Sequence, residues 1–221
     1  MGKEHMPEAD CHTTETKMRL LLASERPDLS AAADLALGSE EALREAVSGL
    51  TSKNEDQRYN SFRVLLRIAE ERPEVLYPFW DRLAELLPSS NAYHRSAAVQ
   101  LLAPLVRAGT ENRFDRLADS FFGLLHDESI ITARYVARVA GAIGTARPSQ
   151  RATIVEKLLQ VDQSLHKQKE LLKADVIASL GQLFAEHEDK ARLVSFVRQQ
   201  LNSPSPKTRE AARAFLEQHR V

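Results

Sequence analysis

The sequence predicts an all-α fold: an α-solenoid of about five antiparallel helix pairs behind a short N-terminal helical cap. Three observations predict it. First, apolar residues return every three or four positions along most of the chain, the connections between helical stretches are short and polar, and no stretch reads convincingly as a strand. Second, four stretches echo one another: LTSKNEDQRYNSFRVL from Leu50, LPSSNAYHRSAAVQLL from Leu87, LHDESIITARYVARVAG from Leu125 and LNSPSPKTREAARAFL from Leu201. Each has a leucine closing one helix, a polar turn, an arginine eight or nine residues on, and a second helix of small and aliphatic residues. Third, a basic residue opens every second helix, Arg58, Arg95, Arg134, Lys173 and Arg209, at spacings of 37, 39, 39 and 36 residues.

Taken in order, residues 1–16 are polar, without a helical apolar stripe, and are expected to form a flexible segment; residues 17–221 are expected to form a single helical-repeat domain. His5, Cys11 and His12 lie in the front segment, but three soft ligands fall short of the four that structural zinc takes, so no metal is expected. The stretch from Lys17 turns helical, stops at Pro27, and resumes as LSAAADLALG with Gly38 as its stop; these two helices form the cap. Ser39 before Glu40 and Glu41 places a capping hydroxyl and negative charge at the positive end of the next helix. Asn54 stands three residues before Gln57, a capping-box spacing, and opens a long helix carrying Phe62, Leu65, Leu66 and Ile68 until Pro73 closes it. The alternation then continues through PEVLYPFWDRLAELL, AYHRSAAVQLLAPLVRAG, RFDRLADSFFGLL, ESIITARYVARVAGAIG, SQRATIVEKLL, KQKELLKADVIASLGQLF, KARLVSFVRQQL and KTREAARAFLEQ.

The residues downstream of each basic position test the register. Three positions on stand Ser61, Ala98, Ala137, Val176 and Ala212; seven on stand Leu65, Leu102, Gly141, Leu180 and Leu216. Those offsets share one helix face, so they are expected to pack against the partner layer. The pattern resembles the HEAT repeat family of armadillo-like helical repeats, over roughly residues 39–220, with Ser203 and Asp127 at the place where the family puts an aspartate. That resemblance implies a right-handed superhelix. It also implies that Arg58, Arg95, Arg134 and Arg209, with Lys173 in the fourth repeat, form a structural ladder to turn residues of neighbouring repeats. The alternative is a cationic strip for an acidic partner.

Composition narrows the function. The 221 residues hold 30 Lys and Arg against 31 Asp and Glu, so no global field points to nucleic acid or an anionic membrane. Residues 1–56 carry 6 basic and 12 acidic side chains, leaving 24 and 19 for the rest: an acidic front and a mildly basic body. One cysteine excludes an intramolecular disulfide and fits a reducing compartment, so a cytoplasmic location is expected. No apolar run reaches the roughly 20 residues of a membrane span. No GxGxxG, P-loop, HExxH or GxSxG string occurs, the seven histidines form no helical metal pair outside the front segment, and no cofactor is expected. Some helical-repeat proteins of this length are glycosylases acting on alkylated DNA bases, but such a site needs several aromatic rings in a basic cleft. Here the single tryptophan, Trp80, is spaced with Leu83, Leu86 and Leu87 as a core residue.

A non-catalytic protein-interaction scaffold is therefore the expectation, with a peptide or helix in the groove lined by second helices. Offsets of one, two and five are expected to face that groove, which selects Tyr59, Asn60, Arg63, Ser96, Gln100, Tyr135, Val139 and Asp175, beside Ala97, Val136, Ala174 and Ala178. Tyrosine and arginine are the residue types that dominate interface energetics. Because no further pair follows the last helix, Phe215 and Leu216 are expected to be uncovered and to offer a self-association surface.

Overall fold

A computed structural model describes residues 13–109, 113–164 and 166–221. They fall into two compact units, one ending at Glu71 and the other running Arg72–Val221. His5, Cys11 and His12 lie outside the described residues. Within the expected flexible segment, however, the chain is already helical from Thr14: in α1, Thr14–Leu22, the Thr13 hydroxyl accepts the Thr16 N–H and starts the helix ahead of its apolar stripe.

In the first unit α1 is followed by α2, Leu29–Gly38, α3, Glu40–Gly49, and α4, Glu55–Glu71. Each start has its own cap. Asp28 accepts from the Ala31 N–H, Ser39 from Ala42 and Asn54 from Gln57. The Gln57 side chain does not return to Asn54 as a capping box would; its carbonyl accepts the Ser52 hydroxyl and its amide donates to Glu45. Met18, Leu22, Ala46, Leu65 and Ile68 form the core. Gly49 is where α3 meets α4, since a Cβ there would sit 2.1 Å from the Ser61 hydroxyl.

The second unit begins with α5, Pro73–Leu76, and α6, Trp80–Ala84, separated by a 3-10 turn over Tyr77–Phe79. The apolar periodicity alone predicts one continuous helix here. Pro78 has no N–H to donate and its ring crowds the preceding turn, so the chain tightens before resuming at Trp80. Trp80 itself is buried, as its spacing predicts. The remaining helices are α7, Ala92–Leu105, α8, Arg113–Gly123, α9, Ile130–Ala146, α10, Arg151–Leu159, α11, Lys169–Leu183, α12, Lys190–Gln199, and α13, Pro206–His219. The second helices α7, α9, α11 and α13 pack side by side in chain order, and α6, α10 and α12 cover α7, α11 and α13 in turn. Each of α8, α10 and α12 closes in a 3-10 turn, which brings Leu125, Val161 and Gln200 inward before the next helix starts.

The expected packing face is buried. Ser61, Ala98, Ala137, Val176 and Ala212, at offset three, have no exposed surface, and at offset seven Leu65, Leu102 and Leu180 have none either. Phe215 corrects an expectation: it is only 3% exposed, stacked edge-on to Phe184 at 5.2 Å and beside His219 at 4.6 Å. Leu216 is half-buried. Among the residues α13 exposes are Lys207, Glu210, Arg213 and Glu217, together with Ala214 and Gln218.

Candidate functional site

The basic column is drawn into the fold, and its members are held in more than one way. Arg58 donates to the carbonyl of Ser52, and Arg209 to those of Ser203 and Pro204, so both tie down the turn of their own repeat. Arg95 does this too, through the Ser89 and Ser90 carbonyls. It also reaches the next repeat, with Nε and Nη2 forking onto Asp127 at 2.6 and 2.8 Å and Nη2 donating to Glu128 at 3.3 Å. These carboxylates raise its pKa further above the usual guanidinium range, the Asp127 hydrogen bond most. Lys173 closes the long turn of its own repeat through Asp162 at 2.7 Å and Glu170 at 2.9 Å. Burial pulls the Lys173 pKa down, but the two carboxylates outweigh it and leave the ammonium above its ordinary value.

Arg134 departs from that pattern. Its Nε donates to Asp175 of the following second helix at 2.6 Å, and Arg138, one turn on, donates to the other oxygen of the same carboxylate at 3.0 Å. Asp175 is buried, whereas the two guanidinium side chains stay 22% and 42% exposed. Two cations therefore share one anion. The Arg138 guanidinium also lies 5.4 Å over the Tyr135 ring, and in the first unit Arg63 lies 5.6 Å over Tyr59 in the same way.

Offset two does not face a groove. Asn60, Ala97, Val136 and Asp175 are all buried. Asn60 donates to the Leu22 and Ser24 carbonyls at 2.9 and 3.0 Å, capping the end of α1, and Asp175 is taken up by the arginines of α9. At offset one Ser96 and Ala174 are buried as well, and the Ser96 hydroxyl is spent on the Tyr93 carbonyl. What reaches solvent is offset five with the two tyrosines: Tyr59 and Arg63 on α4 and Ala178 on α11 are exposed, and Gln100 on α7 and Tyr135 and Val139 on α9 are half-buried.

Along α9 this surface is continuous. Ile131, 60% exposed, stands in line with Tyr135, Val139 and Ala142, one or two turns apart on the side opposite the buried Ala133, Ala137 and Ala140. Sequence reasoning does not single out Ile131, Arg138 or Gln182. The available signal is a helix apolar on its solvent side as well as its packed side. Next to the stripe, Gln182 of α11 leans across Gly141, where a Cβ would lie 2.5 Å from its amide oxygen. The Ser179 hydroxyl fastens the two helices there, donating to the Ala137 carbonyl and accepting the Gly141 N–H at 3.1 Å. Ala178, Gln182, Ala214 and Gln218 continue the surface onto a groove of about 280 Å³ between α11 and α13.

Among the described residues no three His, Cys, Asp or Glu side chains gather as metal ligands, and no helix is long and apolar enough to cross a membrane.

No family model matches the chain, and no curated protein sequence matches it either. Solved structures do. A computationally designed armadillo repeat protein for modular peptide recognition aligns at a TM-score of 0.59 and 16% identity, covering 92% of each chain. A designed armadillo repeat protein in complex with the peptide (KR)4 aligns at 0.57 and 17% identity, over 91% of this chain and 97% of that one. Another designed armadillo repeat protein aligns at 0.56 and 17% identity, over 91% and 98%. Identities this low speak to fold, and the fold they share with this chain is all-α and built from HEAT/armadillo-like helical repeats.

Proposed function

We propose that this chain, whose fold is the HEAT/armadillo-like helical repeat, is a non-catalytic scaffold, with residues 17–221 acting as one array that holds a peptide or helix of another protein on its second-helix face. The observation that carries the reading is the stripe along α9 in which exposed Ile131 and Ala142 flank the half-buried Tyr135 and Val139. An apolar and aromatic strip facing water costs solvation unless something covers it. The exposed amide of Gln182 beside the stripe suits a partner with an exposed backbone, since a side-chain amide both donates and accepts. The similarity to designed armadillo repeat proteins made for peptide recognition agrees with this reading.

Tyr59 and Tyr135 are the test. Neither ring carries the core, so replacing both with Ala leaves the helical circular dichroism and the melting temperature in place, while capture of a bound partner from native extract weakens about tenfold. Undiminished capture refutes the assignment of these residues; loss of folding shows that they belong to the core.

A second reading has one observation in its favour. Asp175 is a buried carboxylate held by two arginines, one of which lies over Tyr135, the kind of constellation that base-excising helical-repeat enzymes would use. Against it, both carboxylate oxygens are occupied by guanidinium groups and Trp80 is buried in the core. Release of free base from alkylated DNA by the purified chain would establish that activity.

A further inference from the structure

Asp175 can balance only one of the two guanidinium groups it holds. Its pairing with Arg134 is closer, at 2.6 Å, and Arg134 is the more covered of the two. Arg138 is the outer one, 42% exposed, lying over the Tyr135 ring and beside the apolar stripe. Among the described residues no other carboxylate lies within ion-pairing distance of either arginine, so this part of α9 carries a net positive charge fixed in position by a buried anion. At two other places in the column the balance is the reverse: Arg95 meets two carboxylates and Lys173 two.

Resting on the peptide-scaffold reading, we propose that the α9 surface is specific for an acidic peptide, one whose Asp or Glu carboxylate pairs with Arg138 while a neighbouring apolar side chain covers Ile131 and Tyr135. Charge complementarity argues for the anion: a partner carboxylate restores the missing negative charge, and a guanidinium already oriented by Asp175 and the tyrosine ring loses little freedom on pairing. The apolar stripe argues for a peptide over a phosphate chain. A nucleic acid needs a succession of cations along its backbone, whereas here one cationic site is set among Ile, Val, Ala and Gln.

Fluorescence anisotropy on the full chain tests this with three labelled synthetic peptides in which leucine alternates with glutamate, glutamine or lysine, and with a labelled single-stranded oligonucleotide. The glutamate peptide is expected to bind about tenfold tighter than the glutamine peptide, with the lysine peptide weakest, and the advantage is expected to shrink as salt rises. R138Q should bring the glutamate peptide down to the glutamine level and leave the glutamine peptide where it was. Its melting temperature should hold, because Arg134 still pairs with Asp175. Equal binding of the glutamate and glutamine peptides, or equal weakening of both by R138Q, overturns the acidic specificity and leaves the scaffold reading standing. Binding of none of the three peptides removes the scaffold reading with it. An oligonucleotide that outcompetes the glutamate peptide and is itself weakened by R138Q overturns the proposal in favour of nucleic acid.

Discussion

Arg95 and Arg134 hold the same place in successive repeats and end in opposite electrostatic states. The Arg95 side chain is 8% exposed and Asp127, its partner, 4%; turn carbonyls and Glu128 take the remaining donors. Around Arg134 one carboxylate serves two guanidinium groups, both in contact with solvent. The difference teaches that a ladder position is not one kind of site. Where the turn supplies the carboxylate the pair closes and stiffens the stack; where the next helix supplies it, a second arginine one turn along can join and leave charge over for a partner.

The largest effect should come from breaking the closed site. R95M strands the buried Asp127 carboxylate, which is expected to cost about 3 to 5 kcal/mol and to lower the thermal midpoint by on the order of 10 °C. A midpoint within a degree or two of the parent would show that water replaces the guanidinium at no cost. Opening the other site should do less to stability and more to binding. D175N removes the shared anion but leaves two arginines that can turn to water, so a loss of about 1 to 2 kcal/mol is expected, with tighter capture of the alternating glutamate peptide. Weaker capture with the helical signal intact would mean that the aiming of Arg138 by Asp175 outweighs the charge that Asp175 cancels.

Lys173 gives the smallest effect, seen as a pH dependence. Burial pushes the Glu170 carboxyl up, but the Lys173 ammonium and the Ser203 hydroxyl more than offset this and hold it below its ordinary value. A carboxyl depressed on folding adds stability that is present above its unfolded pKa and is lost as pH falls through the lower folded one. Chemical unfolding between about pH 5 and pH 3 should therefore show stability falling as acid is added, and K173M should flatten that slope. An unchanged slope would place the cause in the Ser203 hydroxyl, 2.7 Å from Glu170.

Much of the architecture was legible because it is local. Helix starts at Ser39 and Asn54, the buried offsets three and seven, and Trp80 in the core all follow from side chains within a turn or two of each other. The surface was less legible. Offset two looked outward on a single helix, yet in Asn60 and Asp175 it meets a neighbouring layer, and a lone helix cannot report what is stacked beside it. Phe215 failed in the same way: its cover is Phe184, on the preceding pair, together with His219 of its own last turn.

The sequence by itself determined that this is a chain of helix pairs, and which stripe of each second helix is buried, because 3.6-residue periodicity and capping act over a few residues. Only the tertiary structure decided which arginine meets which carboxylate. Arg95 finds Asp127 across 32 residues and Arg134 finds Asp175 across 41. At that range a partner is chosen by how one repeat sits on the next, and so is the charge left uncovered at Arg138.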